Sequence, residues 1–417
     1  MQKLKIAIFS YRSAPFGGGQ GIYVHDISKA LRASGHSVDI ISGPPYPNLA
    51  EGITLKKLPG LDLFQTFSFT ERLKIFSGRK SKKLIDIYEF IATLFGSFPE
   101  MRTFGHRSYK WLLDNNNYDI VIDNQSISFG MLDIQKIVPF IEIIHHPITK
   151  DYKHELQASN KILYRLSRYR WYSFLGMQKK VAPQIKRIIT PSKNSQKDIS
   201  IDFKCNPSNI SVINNGLDID KFIPYKNIER LPHRLITTAS ADVPLKGLDY
   251  TLRAISKLKR NYVNIDLIII GKLKDDGHTS RLIKSLQIED IVHFKTNLTK
   301  EDIAMEYAKS SIAIVSSLYE GFGYPVIEAM SCGVPLIAAN TSSIPELVGD
   351  FASLVPPKDV SALVNSIEQI ANNYEQYEKV AEEGREHIIN NFNWTKITNE
   401  YEKVIYQTIE DFKNANL

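Results

Sequence analysis

Short apolar runs alternate with amphipathic stretches through the first half of the chain. The run KIAIFS near the amino terminus precedes a stretch from about Gln20 to Ser34 that has apolar residues at helical spacing and is ended by Gly35. The runs HSVDIIS, YDIVID, PFIEIIHH and KRIIT continue this rhythm. Alternating strands and helices indicate a mostly parallel sheet that helices cover on both faces. The pattern therefore predicts a doubly wound, Rossmann-like α/β domain.

The same rhythm begins again after Pro232. It continues with HRLITTAS, a helical stretch from Leu248 to Leu258, the runs NIDLIIIGK and SIAIVSS, and a helix from about Pro325. A second Rossmann-like domain is therefore predicted to follow the first.

Breaks in this periodicity suggest where the domains end. We place the first domain at residues 1–216, a hinge at 217–232 and the second domain at 233–392, because Asn-Asn-Gly, prolines and mixed charge interrupt the pattern between them. Residues 393–417 have helical spacing and predict a last helix, free to pack on either domain, of which we favour the first. Ligands of open α/β sheets bind at the carboxyl ends of strands, so two facing domains would share a cleft.

Length and composition fit this organisation. A chain of 417 residues suits two domains of roughly 200 residues each. A formal charge of +7 and a pI near 9.0 predict a surface that attracts anions, but nucleotides, anionic lipids and nucleic acid all qualify. The two cysteines, Cys205 and Cys332, lie far apart without metal-ligand spacing, which fits a reducing compartment.

Neither a signal peptide nor a membrane span is expected. The amino terminus has too few consecutive apolar residues for a secretion signal. The apolar stretch from Leu84 to Phe98 contains Asp86 and Glu89 and is shorter than the ~20 residues of a spanning helix. We therefore expect a cytoplasmic protein.

The strongest local signal lies between Val315 and Val348. A strand is followed by a loop that carries Glu320 and two glycines, and Pro325 suits the first turn of the next helix. Glycines let the backbone approach a diphosphate closely, and the helix dipole favours negative charge there. Glu328 lies about one turn into this helix, so the two carboxylates are placed to bind different sets of sugar hydroxyls.

This segment resembles the donor-binding signature of glycosyltransferase family 4, a pair of glutamates within E-G-F-G-x-P-x-x-E-A-M. By this resemblance Glu320 contacts the hexose of a nucleotide-sugar donor and Glu328 its ribose, while Gly321, Phe322 and Gly323 form the donor loop. The alternative is an ordinary strand-loop-helix with solvated glutamates.

The resemblance runs from Ile6 to about Trp394 and implies the GT-B architecture, two Rossmann-like domains that face each other across a cleft. The downstream Cys-Gly-Val-Pro-Leu-Ile-Ala and Ile-Pro-Glu346 also resemble the family. Asn214-Asn-Gly216-Leu-Asp218 adds support, because family members commonly have asparagine-glycine-x-aspartate there.

A second loop places Lys246 after a strand and before a helix. Its ammonium group can act as a point charge on the donor diphosphate. Family members often have Gly-Arg five or six residues before this Lys-Gly, whereas this chain has Ser240-Ala241, which leaves half of the phosphate clamp unfilled unless backbone N–H groups replace it. The alternative is a surface lysine at a helix start.

In the first domain, a glycine-rich stretch, Pro15 to Gly21, follows the first strand. It is a poor dinucleotide fingerprint, because Ile22 stands where G-x-G-x-x-G needs its last glycine. The family resemblance implies a loop close to the donor phosphate, with Gly18 and Gly19 as the contacts. A tight turn that needs glycine for its backbone angles is the alternative.

Two adjacent histidines, His145 and His146, end the run PFIEIIHH. Successive side chains of a strand point to opposite faces, so the pair is not suited to bind one metal ion. The resemblance places His145 near the reacting sugar, and His146 is then structural. Taken alone, a structural role would be the better interpretation of His145 as well.

The resemblance implies a retaining glycosyltransferase that moves a hexose from a UDP or GDP sugar to a hydroxyl acceptor, which is a glycan, a lipid or a small molecule. A lipid-linked or cell-envelope glycan precursor is one candidate. No loop offers an enzyme nucleophile with a paired base, which favours a front-face displacement with His145, Glu320 and Lys246 as the catalytic residues. No suitable loop carries Asp-x-Asp, so no cofactor or metal is expected.

Three rival interpretations remain. A non-catalytic sugar-nucleotide or lipid-binding module would explain the missing arginine as lost activity. Another GT-B-like enzyme, such as a sugar-nucleotide epimerase or a phosphorylase, is disfavoured by the paired glutamates and the chain length. A nicotinamide dehydrogenase is opposed by the broken glycine fingerprint.

Cations and aromatic residues are interleaved between Lys161 and Arg187, a segment without a carboxylate, and a second basic run extends from Arg72 to Lys83. Such a composition fits the anionic inner face of the plasma membrane, where the protein would bind peripherally. The alternative, which the sequence slightly favours, is an amphipathic helix with Trp171 in the core and the cations in solvent. No nucleic-acid-binding motif accompanies the charge, so nucleic acid is not expected as a partner.

Overall fold

The computed structural model describes residues 2–14, 19–64, 66, 68–79, 82–157, 159–225, 227–260 and 264–415. It divides into two compact units. Unit 1 comprises Met1–Asn214 together with Ile397–Leu417, and unit 2 comprises Asn215–Lys396.

Unit 1 is built on a seven-stranded parallel sheet in the order β3-β2-β1-β4-β5-β6-β7. The strands are β1 (Lys5–Ser10), β2 (Ser37–Ser42), β3 (Thr54–Lys57), β4 (Ile120–Asn124), β5 (Phe140–Ile143), β6 (Ile188–Thr190) and β7 (Ile210–Val212). The chain winds outward in one direction from β1 and then in the other from β4. In such sheets a ligand crevice forms where the direction reverses, at the carboxyl ends of these two strands.

Nine helices precede the second unit in the part of the chain that the structure describes. They are α1 (Gly19–Ala33), α2 (Phe69–Ser77), α3 (Leu84–Leu94), α4 (Glu100–Asp114), α5 (Phe129–Ile137), α6 (Thr149–Gln157), α7 (Ile162–Trp171), α8 (Leu175–Val181) and α9 (Lys193–Asp202). The predicted first helix is confirmed within one residue at each end, and Gly35, with a φ of +95°, follows it in a conformation that favours glycine.

Unit 2 contains a six-stranded parallel sheet in the order β10-β9-β8-β11-β12-β13. Its strands are β8 (Leu231–Thr238), β9 (Asp266–Ile270), β10 (Val292–Lys295), β11 (Ser310–Val315), β12 (Leu336–Ala339) and β13 (Ser353–Val355). Alternate residues of β11 pack into two different buried clusters. Ile312 and Ile314 belong to one cluster, and Ala313 and Val315 belong to the other. This explains the continuous apolar runs, because helices cover both faces of the sheet.

The helices of unit 2 are α10 (Leu248–Leu258), α11 (His278–Leu286), α12 (Lys300–Lys309), α13 (Tyr324–Ser331), α14 (Ile344–Val348), α15 (Val360–Asn372) and α16 (Tyr374–Phe392). Thr299 and Asp302 form a capping box at the start of α12. Of the described helices, none is both long and apolar enough to span a bilayer.

The last helix, α17 (Trp394–Ala415), returns the chain to unit 1. The hydroxyl groups of Tyr23 and Tyr401 share a buried hydrogen bond of 2.7 Å. His36 bonds Glu402 Oε1 through Nε2 at 3.0 Å and accepts a hydrogen bond from the backbone N–H of Leu4 through Nδ1. These buried polar contacts attach α17 to the first strand and the first helix.

Candidate active site

The carboxylate of Glu320 is held in place at the carboxyl end of β11. Its Oε1 lies 2.7 Å from Lys246 Nζ and also accepts a hydrogen bond of 2.7 Å from Ser317 Oγ. Two serines bind the backbone of the same residue. Ser342 Oγ accepts a hydrogen bond from the N–H of Glu320, and Ser343 Oγ donates one to its carbonyl. The side chain of Glu320 is buried, so its position is determined before any ligand binds.

Gly323 is the N-cap residue immediately before helix α13. Its φ of +116° is a conformation that other residues rarely adopt. Tyr324 and Pro325 then form the first helical turn. The positive end of the helix dipole favours negative charge at this position. Within the turn, Pro325 has no N–H, and the N–H of Val326 donates to Gly323 O at 3.0 Å. The helix start on which the prediction depends is therefore present, and anion binding there stays a prediction.

Two further residues of the predicted donor site, Phe322 and Glu328, differ in exposure. Phe322 is buried and packs its ring 5.5 Å from that of Tyr324 and 6.1 Å from that of Phe392. Any contact of Phe322 with a donor must therefore use its backbone. Glu328 is partly buried and lies one turn further along α13.

Lys246 reaches Glu320 because two neighbouring strands end side by side. It lies in a short 3-10 turn after β8, and β8 pairs with β11. Gly247 follows with a φ of +62°, and a side chain there would collide with the carbonyl of Ser316. The backbone N–H of Leu318 donates to Leu245 O at 2.7 Å, so the two loops are joined directly.

The position of the missing arginine is occupied by a loop tied to α11. Ser240 is exposed, and Ala241 is buried. The next residue, Asp242, accepts a hydrogen bond from the backbone N–H of Thr279 at 2.7 Å, and its own N–H donates to Thr279 Oγ1. No cation among the residues of this described loop takes the arginine's place before Lys246.

In unit 1, His145 lies at the carboxyl side of β5, two residues after the strand ends. Its Nε2 is 2.8 Å from Asn124 Oδ1, and its ring packs edge-to-face on Tyr23 with centroids 4.6 Å apart. The Asn124 amide donates to Ser10 Oγ on β1, so these side chains lie where the strand order reverses. Burial, followed by repulsion from His146, lowers the pKa of His145 to about 3. The ring is therefore neutral near pH 7.

His146 has a different set of contacts. Its Nε2 lies 2.7 Å from Asp151 Oδ2 on α6, whereas His145 contacts Asn124 on β4. The predicted strand ends earlier, at Ile143, but the two rings still contact different groups. His146 thus links the end of β5 to α6.

A buried pair of carboxyl groups supports the loop that follows Asn124. Asp123 and Glu142 are opposite each other on β4 and β5 and share a side-chain hydrogen bond. Burial and the charge of Asp123 raise the pKa of Glu142 well above its usual range. Each carboxyl group also accepts a hydrogen bond from the backbone. Asp123 Oδ2 accepts from the N–H of Ser126, and Glu142 Oε1 accepts from the N–H of Ile127. The pair was not predicted from the sequence, although each of the apolar runs YDIVID and PFIEII contains a carboxylate, which is unusual for a buried strand.

The glycine-rich loop is described only in part. Gly18, one of its two predicted donor contacts, lies outside the described residues. Gly19 begins α1, and a side chain there would meet no other atom within 4 Å. A side chain at Gly21 would collide with the carbonyl of Ala14, so the close approach that demands glycine is at Gly21.

The chain matches known glycosyltransferases over nearly its whole length. Residues 17–221 match the family model described as Glycosyltransferase Family 4, and residues 221–387 match Glycosyl transferases group 1. The chain is 37% identical over 412 residues to the MMP alpha-(1->4)-mannosyltransferase of Mycolicibacterium hassiacum, covering 96% of this chain and 98% of that enzyme. The chain belongs to glycosyltransferase family 4.

Solved structures of other glycosyltransferases share the fold of this family 4 protein. Sucrose-phosphate synthase from Thermosynechococcus elongatus has a TM-score of 0.74 at 20% identity, covering 98% of this chain and 100% of that chain. Anabaena Alr3699/HepE in complex with UDP and glucose has a TM-score of 0.68 at 16% identity, covering 97% and 99%. The predicted fold, two Rossmann-like domains of the GT-B class, is confirmed.

Proposed function

We propose that this glycosyltransferase is a retaining mannosyltransferase that moves a mannosyl group from a nucleoside diphosphate mannose to a hydroxyl acceptor. The nucleoside is guanosine or uridine. The choice of mannose is supported by the mannosyltransferase that matches nearly the whole chain. The observation that carries the proposal is the contact of Lys246 with Glu320 beside the start of α13.

The donor would replace one ion pair by two more specific interactions. In the ligand-free protein, Lys246 is paired with Glu320 at 2.7 Å. A donor diphosphate at the start of α13 offers Lys246 a doubly charged partner and leaves Glu320 able to accept hydrogen bonds from sugar hydroxyls. Glu328 is proposed to bind the ribose, and Gly18, Gly19, Gly321, Phe322 and Gly323 to approach the donor through their backbone.

Transfer is proposed to occur by front-face displacement. The bond from the anomeric carbon to the diphosphate oxygen breaks, and a bond to the acceptor oxygen forms on the same face of the sugar. The acceptor proton passes to the departing phosphate oxygen. Lys246 and the N–H groups at the start of α13 stabilise the charge that develops there. His145, which is neutral near pH 7, would orient the sugar through a hydrogen bond rather than act as a charged acid.

The experiment is a transfer assay with a panel of nucleoside diphosphate sugars and simple glycoside acceptors. Release of nucleoside diphosphate is measured, and the anomeric configuration of the product is read from its proton NMR spectrum. We expect mannose donors to give an α-linked product from an α-linked donor. A β-linked product would contradict retention, and transfer of a different sugar only would contradict mannose.

A second function, a non-catalytic sugar-nucleotide-binding module, is favoured by Ser240-Ala241 in place of the family's arginine. The same assay separates the two functions. A binding module shows donor-dependent thermal stabilisation, which mass action sets at about 2.7 kcal/mol for a donor at a hundred times its Kd, but it releases no nucleoside diphosphate. An epimerase would instead return a different sugar nucleotide.

We also propose a cytoplasmic location at the inner face of the plasma membrane, with a cell-envelope glycan precursor as the acceptor. This part of the proposal is supported by the surface of unit 1. The basic segment from Lys161 onwards forms helix α7, which leaves its aliphatic side chains in solvent, whereas Trp171 packs against the core.

A further inference from the structure

Three helices of unit 1 leave large apolar side chains in solvent. Neither α2 nor α7, both described throughout, buries a single residue, and α3 exposes one of its sides. The most exposed of these side chains, at 58 to 86% of their full area, are Phe69, Leu84, Phe95, Ile162, Leu163 and Tyr169. Apolar clusters of this kind on a monomer generally mark a surface that binds a partner.

These helices adjoin one another. Phe76 of α2 stacks on Phe90 of α3, with ring centroids 4.4 Å apart. Phe98, shortly after α3, stacks on Trp171 at the end of α7, with centroids 5.2 Å apart. The exposed residues of α2, α3 with Phe95, and α7 therefore belong to one region, which we call the α2-α3-α7 face.

Positive charge predominates on this face. The α7 segment from Lys161 to Trp171 carries four cations and no carboxylate. The carboxylates of Asp86 and Glu89 on α3 are only 2% exposed and are turned toward Arg107, at 2.6 Å for Asp86. Glu71 is the exposed carboxylate of α2. The negative charge of α3 is thus directed inward. Lys161, Arg165 and Arg170 of the α7 segment remain exposed, whereas Arg168 is half-buried and paired with Glu155 of α6 at 3.0 Å.

We infer that the α2-α3-α7 face docks on an anionic phospholipid bilayer. Aliphatic and aromatic side chains enter the boundary between headgroups and acyl chains, and basic side chains bind the anionic headgroups. A second copy of this chain is a poorer occupant, because a symmetric contact would bring the cations of α7 against each other. The inference deepens the proposed function and rests on it for its purpose, but the docking itself can be measured without any reaction.

The test is co-sedimentation of the full chain with vesicles of phosphatidylcholine alone or with about one third phosphatidylglycerol, an anionic fraction that gives a substantial negative surface potential. We expect binding to the anionic vesicles only, and loss of this binding at about 0.5 M salt, where charges are screened within a few Å. Equal binding to both vesicle types, or to neither, would overturn the inference.

Two pairs of substitutions examine the two components of the face. Ile162→Ser with Leu163→Ser removes apolar area, and Arg165→Glu with Arg170→Glu reverses charge. Each pair should weaken vesicle binding at least about tenfold, because the first removes two apolar side chains from the interface and the second replaces two attractive charges by repulsive ones.

Matched controls lie elsewhere on unit 1. Ile201→Ser changes a side chain that is 61% exposed on α9, and Lys403→Glu reverses an exposed charge on α17. Both controls should bind anionic vesicles like the unmodified protein. If they weaken binding as much as the pairs do, the effect is not specific to the face and the inference fails.

Three measurements without vesicles complete the test. Melting curves should show that all variants fold, and sedimentation should show the same mass for each. If the unmodified protein has a larger mass than the variants of the face, a second copy is the occupant and the inference is overturned.

Transfer to a small acceptor in free solution should be unchanged in the variants. Vesicle binding without any transfer would contradict the proposed transferase activity alone. Transfer without vesicle binding would contradict the docking and the proposed membrane location, and it would leave the transferase activity supported.

Discussion

Lys246 Nζ and Glu320 Oε1 lie 2.7 Å apart, although the two residues are on loops that follow different strands of the unit 2 sheet. Each group thus has the other as its charged partner. The proposed role of each depends on exchanging this partner for a charged or hydroxyl group of the donor.

The two glutamates should have separable roles. Glu320→Ala should lower kcat by removing a contact with the sugar, and Glu328→Ala should chiefly weaken the binding of the nucleoside diphosphate through the ribose. Loss of a charged hydrogen bond costs about 1.5–3 kcal/mol, which corresponds to roughly a 10- to 100-fold change. Steady-state kinetics and calorimetric titration measure these quantities, and two variants with unchanged turnover and affinity would contradict the assignment.

Lys246→Ala should weaken nucleoside diphosphate binding by roughly 10-fold or more, because a charge-assisted contact with the phosphates is lost. The double variant with Glu320→Ala should lose less than the sum of the two single variants, since the pair interacts directly. Lys257→Ala, on α10 of the same unit, is the matched control and should bind like the unmodified protein. Additive losses would show that the contact of Lys246 with Glu320 has no part in donor binding.

Gly323→Ala should destabilise unit 2 and weaken anion binding together. A side chain at a φ of +116° is strained by about 1–3 kcal/mol, and relief of this strain would turn the first N–H groups of α13 away. Gly176→Ala on α8 is the control, because a side chain there meets no atom within 4 Å. Its melting temperature should stay the same or rise, as alanine is favoured inside a helix. A Gly323→Ala variant that melts and binds normally would exclude the proposed anion site.

His145 should stay neutral throughout the pH range of activity. The pKa of His145 is about 3 in the folded protein, and its ordinary value is 6.5. As the pH falls from 6.5 toward 3, the unfolded chain therefore takes up a proton at His145 that the folded protein does not. The contribution of His145 to stability is therefore complete above pH 6.5 and is lost toward pH 3. His145→Gln should reduce transfer, and its melting temperature should depend less on pH in this window. An NMR titration of His145 with a midpoint near 6.5 would contradict this prediction.

The pair of Asp123 and Glu142 should have the opposite pH dependence. Because the pKa of Glu142 is raised above its ordinary value of 4.5, its contribution to stability is complete below that pH and decreases as the pH rises. Glu142→Gln keeps a hydrogen-bond donor for Asp123 and has no proton to lose. Its melting temperature should fall less between about pH 5 and 8 than that of the unmodified protein. The exposed Glu289→Gln serves as the control, and an identical pH dependence in all three proteins would exclude a shared proton.

The sequence was sufficient to predict both Rossmann-like domains, because buried parallel strands need continuous apolar runs. It also located the loop around Glu320, since a glycine-rich loop before a helix leaves a local pattern. The contact of Lys246 with Glu320 was not predictable, because it depends on β8 and β11 being neighbours in a strand order that local patterns do not determine. Likewise, the pairing of Asp123 with Glu142 requires the register of β4 and β5.

Residues 397–415 belong to unit 1 and determine the order in which the two units are completed during synthesis. They are synthesised after every residue of unit 2, so unit 1 cannot be completed before unit 2 has been synthesised. Until α17 arrives, the hydroxyl of Tyr23 and the ring of His36 lack their partners Tyr401 and Glu402. The unit that is begun first is thus the last to receive all of its residues.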